Sequence, residues 1–233
     1  EPGYDAMIQG MGGLMSVTGV PEGEPGAGPQ KVGVAVADLM CGMYAVAAVL
    51  AAMNERHDSG RGQHIDLSLL DTQVAWLANQ NMNYLVSGRP PQRQGTAHPN
   101  IVPYQSFRTS DGFLMLAVGN DAQFRRFCEV AGVPELGTDA RYASNAARVE
   151  NRETLCVRIA SLMATRTMDD WIGALEAAGV PCGPINNIAQ ALAHPQVAAR
   201  NMVVEVPDGS GGPYLGLANR EGAVTIERPW SDA

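Results

Sequence analysis

The sequence predicts an α/β protein in two parts, a larger part at the start of the chain and a small α+β domain after it. The run from Leu39 to Asn54 is rich in Ala, Leu and Met and contains no proline, which favours a helix. Residues 64–68 alternate polar and apolar side chains, as a strand does. Two apolar runs around Ser110-Asp111-Gly112 indicate a β-hairpin at 104–118.

A stretch rich in residues that disfavour regular structure separates the two parts. These residues are Gly88, Pro90, Pro91, Gly95, Pro99 and Pro103. We predict that residues 1–86 belong to the large part and that 87–103 form a linker and functional loop. Residues 104–195 are expected to form the small α+β domain, and 196–233 to return to the large part.

Local signals predict the remaining elements. Further helices are expected at residues 4–15, 69–86, 120–131, 148–163, 168–178 and 187–193. Asn120 and Thr167 precede two of these helices and are the expected N-caps. Glycine and proline residues predict a loop at 19–30, and Val180-Pro181-Cys182-Gly183-Pro184-Ile185 is expected to be an extended connection.

The charge of the chain limits the classes of ligand it can bind. The 233 residues carry a formal net charge of −8, which argues against a nucleic-acid or anionic-membrane surface. Lys31 is the only lysine, so nearly all basic groups are arginines. A ligand that bears phosphate would therefore have to be held by a local cluster of arginines or by helix N-termini.

Cysteine usage is typical of a cytoplasmic protein. The four cysteines lie far apart and form no CxxC pair, and together with four histidines they suggest no metal cluster. Reduced, partly buried thiols are the simplest interpretation. The apolar run from Val32 to Ala52 is long enough to cross a membrane, but it contains Asp38 and much Ala and Gly, which favours a buried helix. The chain opens with Glu1-Pro2-Gly3-Tyr4, without an initiator methionine, and we expect it to be part of a longer protein.

Asp38 is the only charged residue in the mostly apolar run from Val32 to Leu50. Acidic side chains are rarely buried without a partner, so a carboxylate at this position needs an explanation. One interpretation is a helix N-cap, since the following segment is predicted to be helical. The other is a catalytic nucleophile, and Asp38 alone does not decide between them.

Several short motifs occur along the chain in a specific order. They are Gly3-Tyr4-Asp5, Gly12-Gly13 with Thr18-Gly19, Asp38, Gly60-Arg61-Gly62-Gln63, residues 95–104 (GTAHPNIVPY), Thr109-Ser110-Asp111-Gly112, Arg148, and residues 180–187 (VPCGPINN). In this order the chain resembles the family III CoA-transferases, which include formyl-CoA transferase and the carnitine CoA-transferases. The resemblance extends from residue 2 to about residue 206. Residues 95–112 (GTAHPNIVPYQSFRTSDG) together with residues 179–187 (GVPCGPINN) look most like the branch that acts on dicarboxylates such as succinate and glutarate.

This resemblance implies a fold and a set of partners. The fold would be a partial Rossmann-like large domain that binds CoA, joined to the small α+β domain. The protein would be a cytoplasmic, interlocked homodimer that uses an acyl-CoA and a carboxylic acid acceptor. It would hold no permanently bound cofactor and no metal, because coenzyme A enters as part of the substrate.

The resemblance also assigns roles to individual residues. Asp38 matches the nucleophilic aspartate, which would form first a mixed anhydride and then an aspartyl-CoA thioester. The nearby helix N-terminus would keep the carboxylate ionised and stabilise oxyanions. The segment that contacts CoA is matched by Pro2, Gly3, Tyr4 and Asp5, and Leu69 matches a position that lines the CoA channel. Tyr4 and Leu69 also have a simpler interpretation as packing residues.

The predicted active-site loop contains Gly95, His98 and Asn100. In the family this loop closes over the active site, where it would exclude water from reactive anhydrides. The transfer needs no general base, so His98 is expected to position the loop or to have no role. Arg89 and Arg93 either pair with an acceptor carboxylate or are solvated residues of the linker.

Two other functions remain open. The family also contains α-methylacyl-CoA racemases, which use a His/Asp pair with histidine at the position matched here by Tyr4. A tyrosine, with an ordinary pKa of about 10, is a poor replacement for that base, which argues against racemisation. The chain is also shorter than the family's members, so an inactive fragment is the third hypothesis.

Overall fold

The computed structural model describes residues 2–205 and, beyond them, the short strands at 213–215, 218–219 and 222–223. Most of the predicted return segment, 196–233, therefore lies outside the described residues. The helices are α1 Asp5–Met11, α2 Leu14–Val17, α3 Val36–Ser59, α4 Leu69–Trp76, α5 Asn79–Ser87, α6 Asp121–Val130, α7 Asn145–Glu150, α8 Arg152–Met163, α9 Met168–Ala177, α10 Ile188–Leu192 and α11 Pro195–Ala199, with a 3-10 helix at Pro134–Gly137.

The strands are short, and all the pairs among the described residues are antiparallel. They are β1 Gly19–Val20, β2 Gly28–Pro29, β3 Tyr104–Arg108, β4 Phe113–Ala117, β5 Cys182–Pro184, β6 Val203–Glu205, β7 Pro213–Leu215, β8 Ala218–Asn219 and β9 Gly222–Ala223. The largest sheet has three strands in the order β3-β4-β5.

The predicted hairpin is confirmed as β3 and β4, with Tyr104 paired to Ala117 and Arg108 paired to Phe113. Its turn is closed by the side chain of Thr109, which accepts a hydrogen bond from the Gly112 N–H at 3.0 Å. The segment predicted to be an extended connection is extended, and it becomes the third strand, because β5 pairs with the free edge of β4.

The hydrophobic core lies on this sheet. Leu114 and Leu116 of β4 are fully buried. Helices α6, α8 and α9 contribute side chains spaced three or four residues apart, which places them on one face of each helix. These buried residues are Phe124, Phe127, Leu155, Ile159, Met163, Trp171 and Leu175. Because the whole cluster is drawn from residues 102–180, this part of the chain has its own core.

The helices that precede the linker are packed differently. Helix α1 packs against α3 and α4, and α3 packs against α4. Most apolar residues of α3 are nevertheless exposed, among them Leu39, Met43, Val46, Leu50 and Met53. By length and composition alone, α3 would be able to cross a membrane, since its most apolar stretch has a mean hydropathy of 1.9. In this chain it carries Asp38 in its first turn.

Several predicted elements differ from those observed, and the predicted helices at 4–15 and 148–163 are each split in two. The predicted strand at 64–68 is wrong, since these residues make no ladder with any described strand, and the alternating pattern alone cannot supply a partner. The predicted helix at 69–86 is broken at Leu77 and Ala78, where Ala78 has φ 46°. That backbone conformation ends α4 and redirects the chain into α5.

Helix α3 is longer than predicted at both ends. It begins at Val36 rather than Leu39, so Asp38 lies inside its first turn. It ends at Ser59, where Gly60 adopts a left-handed conformation with φ 71° and its N–H bonds the Arg56 carbonyl. Glycine is the residue that takes up this conformation at least cost.

The predicted N-caps are confirmed. The side chain of Asn120 accepts a hydrogen bond from the Gln123 N–H at 2.9 Å. Thr167 accepts one from the Asp170 N–H at 3.3 Å. Each bond satisfies an N–H of the first turn that has no partner within the helix.

Candidate active site

Asp38 is the third residue of α3 and its side chain is exposed. Ala35 occupies the N-cap position, so the interpretation of Asp38 as the N-cap is wrong. A carboxylate in the first turn interacts favourably with the positive end of the helix dipole. Among the described residues, no hydrogen bond occupies this carboxylate, which leaves both oxygens open to a ligand.

Asp5 bonds the helix terminus that Asp38 was expected to cap. Its Oδ1 accepts a hydrogen bond from the Ala37 N–H at 2.9 Å, and its Oδ2 accepts one from the side-chain amide of Gln9 at 2.9 Å. Gln9 is fully buried, and its own Oε1 accepts the Val32 N–H at 2.9 Å. Helix α1 thus fixes both the approach to α3 and the position of Asp38.

This network changes what is expected of Asp5. Both carboxylate oxygens already bond groups within the protein, so a contact with CoA would have to share them. The Val36 N–H bonds the Val34 carbonyl at 2.8 Å, and the Ala37 N–H bonds Asp5. These two amides are therefore already bonded within the protein and are not free to bind a ligand at Asp38.

The other predicted CoA-binding residues lie close to one another. A methyl group on Gly3 would lie 3.5 Å from Cδ1 of Leu69. The residues before α1 therefore lie beside the start of α4. Leu69 is half-buried, whereas Pro2 is exposed and Tyr4 is 73% exposed. The interpretation of Tyr4 as a core packing residue is therefore wrong for the described part of the chain.

The predicted active-site loop lies against the small sheet. Thr96 shares a hydrogen bond with Ser106 of β3 at 2.8 Å, and the His98 N–H bonds the Tyr104 carbonyl at 2.8 Å. The Asn100 amide donates to the Asn83 side chain on α5 at 3.0 Å. These contacts hold the loop on β3 and α5, and no described hydrogen bond joins it to Asp38.

The surroundings of His98 disfavour its protonated form. Burial and the nearby positive charge of Arg152 lower its pKa below the ordinary value of 6.5. Its Nδ1 accepts a hydrogen bond from the Asn100 N–H at 3.1 Å, which uses the lone pair that a base would need. The geometry therefore supports a positioning role for His98 in the loop.

Arg93 is not a solvated residue of the linker. Its side chain is 16% exposed and its Nη2 lies 2.6 Å from Glu22. Its Nε–H also donates to the Val20 carbonyl at 3.0 Å. An acceptor carboxylate would have to compete with Glu22 for this guanidinium, whereas Arg89 is exposed.

A cavity of about 470 Å³ lies between the β1–β2 connection, the segment 92–97 and the start of α8. Arg93, Arg152 and Gln105 line it together with Glu22 and further residues of the same segments. Arg152 was not identified from the sequence. No spacing in the sequence points to it, because Arg152 begins α8 whereas Asn145 and Arg148 belong to α7.

Three comparisons place the chain among known proteins. The family described as CoA-transferase family III matches residues 1–227. Succinate–glutarate CoA-transferase of Agrobacterium fabrum is 51% identical over 213 residues, which are 90% of this chain and 51% of that protein. Succinyl-CoA:glutarate CoA-transferase of Homo sapiens is 39% identical over 204 residues, covering 88% of this chain and 46% of that protein.

The fold of the chain is similar to that of a solved structure. The crystal structure of a CAIB/BAIF family protein from Brucella suis matches with a TM-score of 0.75 and 44% identity, over 100% of this chain and 57% of that one. The predicted mixed fold of the family type is therefore confirmed. The chain spans about half the length of the curated relatives it matches. With a family match over nearly all its residues, the chain belongs to CoA-transferase family III.

Proposed function

We propose that the whole protein transfers coenzyme A from an acyl-CoA thioester to a dicarboxylic acid, with Asp38 as the nucleophile. The observation that carries this proposal is the exposed, unbonded carboxylate of Asp38 in the first turn of α3, within a chain of this family. The names of the two relatives support succinyl-CoA as donor and glutarate as acceptor.

The chemistry would proceed by exchange of activated acyl groups on Asp38. A carboxylate oxygen attacks the thioester carbonyl, the C–S bond breaks, and CoA leaves as a thiolate from an acyl-aspartyl anhydride. The thiolate then attacks the aspartyl carbonyl, which releases the donor acid and leaves an aspartyl-CoA thioester. The acceptor carboxylate repeats both steps in reverse, so Asp38 is regenerated without ATP or a net proton.

Residues around α1 would bind the CoA part of the substrate. Pro2, Gly3 and Tyr4 are exposed at the start of α1, and Leu69 lies beside Gly3. An exposed aromatic ring and neighbouring apolar groups suit a flat base or a pantetheine chain. We include Asp5 in this set as well, although its carboxylate also holds α3.

The loop with Gly95, His98 and Asn100 would cover the reacting groups and exclude water. The core drawn from residues 102–180 supports a small domain at 104–195. The exposed apolar residues of α3 support a whole protein in which further polypeptide covers this helix, as the proposed interlocked homodimer would. Four free cysteines support a cytoplasmic location.

The test uses the whole protein with succinyl-CoA and glutarate, and CoA esters are separated by chromatography. We expect glutaryl-CoA in the wild type and none in Asp38→Asn, since an amide is not a nucleophile for this exchange. Hydroxylamine should label Asp38 only when acyl-CoA is present. Asp169→Asn is the matched control, because Asp169 is also an exposed acid in the first turn of a helix, α9.

Two results would overturn the proposal. Transfer by Asp38→Asn at the wild-type rate would exclude Asp38 as the nucleophile. Exchange of an α-proton for deuterium without any acyl transfer would show a racemase-like activity instead.

A further inference from the structure

Arg152 contacts the predicted active-site loop on both sides of Gly95. Its Nη1–H donates to the side chain of Gln94 at 2.7 Å. Its Nη2–H donates to the carbonyls of Pro99 at 2.7 Å and His98 at 3.1 Å. The guanidinium therefore spans the residues that flank Gly95, where φ 60° turns the chain.

Two neighbouring side chains bind the following carbonyls of the same loop. The Asn145 amide donates to the Asn100 carbonyl at 2.8 Å, and its Oδ1 accepts the Val102 N–H at 3.2 Å. The Arg148 Nε–H donates to the Val102 carbonyl at 2.6 Å. We call Asn145, Arg148 and Arg152 the carbonyl clamp, since together they bind four carbonyls between residues 98 and 102.

The three members of the carbonyl clamp differ in what else they hold. Arg148 is fully buried, bonds Asp121 at 2.9 Å and the Tyr142 carbonyl at 2.9 Å, and lies over the ring of Phe124. Its removal would leave buried partners of the core without a bond. The hydrogen bonds of the Arg152 guanidinium to described residues all reach segment 94–99. Arg152 thus acts on the loop without being part of the core.

We propose that Arg152 is a positioning residue that holds loop 94–99 in place and so decides whether the aspartyl-CoA thioester reacts with the acceptor acid or with water. This inference rests on the proposed transferase function. A loop without regular structure has carbonyls that would otherwise bond water and move with it. A planar guanidinium with several donors in fixed geometry can join both ends of such a loop, which a single point charge does not do.

Loss of Arg152 should favour hydrolysis of the aspartyl-CoA thioester, the reaction that competes with transfer. Water adds its oxygen to the carbonyl of the aspartyl-CoA thioester, the C–S bond breaks, and CoA leaves as a thiol with the proton from water. Asp38 is restored and the acyl activation is lost. In Arg152→Gln the ratio of transfer to hydrolysis should fall about tenfold, because small displacements at an active site change rates by this order or more.

The test measures glutaryl-CoA and free CoA thiol in the whole protein, for the wild type, Arg152→Gln and Arg152→Lys. Arg152→Lys should restore part of the ratio, because it keeps the charge but not the fork of donors. Arg158→Gln is the control, since Arg158 is an exposed arginine on the same helix, and its ratio should equal that of the wild type. An unchanged ratio in Arg152→Gln, with an unchanged midpoint of thermal unfolding, would overturn the proposal.

A second readout does not depend on activity. Amide hydrogen exchange in residues 95–100 should be faster in Arg152→Gln and unchanged in Arg158→Gln, while the exchange of β4 stays at the wild-type rate. If the wild type transfers no CoA, the proposed function fails but this exchange still tests the carbonyl clamp. Equal exchange of the loop in Arg152→Gln and the wild type would show that Arg152 does not hold it.

Discussion

The carboxylate of Asp5 accepts the N–H of Ala37, the residue directly before Asp38, at 2.9 Å. One acid on α1 thereby bonds the first turn of α3 and leaves a second acid in that turn free for chemistry. The side chain of Asp5 acts as a cap supplied from 32 residues earlier in the chain. The position of the proposed nucleophile is therefore set by a tertiary contact as well as by its own helix.

Asp5→Ala should lower both stability and activity. It leaves the Ala37 N–H without its acceptor and the Gln9 amide with only its 3.4 Å bond to the Val34 carbonyl, which costs about 1 kcal/mol or somewhat more in the free energy of unfolding, as loss of a cap does. Urea denaturation measures the free energy, and the transfer assay measures kcat. Asp66→Ala removes an exposed acid and should change neither. A stable Asp5→Ala protein would show that α3 does not need this bond.

Gly12→Ala should destabilise the contact between α1 and α4. A methyl group there would lie 2.5 Å from Cγ of Gln73 and 2.8 Å from the Ile8 carbonyl oxygen, so neighbouring groups would have to shift at a cost of about 1–3 kcal/mol. Gly173→Ala is the matched control, because Gly173 is exposed in α9 with open space around it. That variant should have a free energy of unfolding about 0.5–1 kcal/mol higher than the wild type, as measured by thermal unfolding. Equal effects at both positions would contradict the packing argument.

His98 should titrate below 6.5 in the folded protein, since burial and the charge of Arg152 both oppose its protonation. The unfolded chain binds this proton near pH 6.5 and the folded chain only at lower pH. The contribution of His98 to stability is therefore lost as pH falls from 6.5 to the folded pKa. Nuclear magnetic resonance of the ring protons measures the folded pKa, which Arg152→Gln should raise. A His98 pKa above 6.5 in the wild type would exclude this environment.

Cys128 should resist alkylation in the native protein. Burial raises its pKa to about 12, so almost no thiolate exists at pH 8. Iodoacetamide followed by mass spectrometry should leave Cys128 unmodified until the protein is unfolded by urea. Rapid labelling of Cys128 in the native state would contradict a closed core around α6.

The parts of the fold that were predicted from the sequence are those with local causes. Asn120 and Thr167 cap helices that begin one residue later, and Ser110-Asp111-Gly112 closes a turn between adjacent strands. The failures have distant causes. The alternation at 64–68 forms no ladder, because pairing needs a neighbouring strand that no local pattern provides, and the conformation of Ala78 follows no rule of residue type.

The candidate site also contains features with local causes and features with distant causes. Asp38 stands out in the sequence because a charge interrupts an apolar run, whereas its exposure and its support by Asp5 depend on how α1 meets α3. Arg152 is one arginine among many in the sequence. Its importance appears only when the helix that carries it lies beside the loop more than fifty residues earlier in the chain.

Strand β5 is synthesised long after β4, the strand with which it pairs. The edge of β4 stays open until residues 182–184 leave the ribosome, because β5 is the strand that pairs with it. Until then the nascent chain presents an unpaired strand edge beside Leu116, a side chain that is fully buried in the finished fold. Such edges invite pairing with other chains. A version truncated before Cys182 should therefore aggregate during expression. A soluble product would then require residues 182–184, although they are synthesised late.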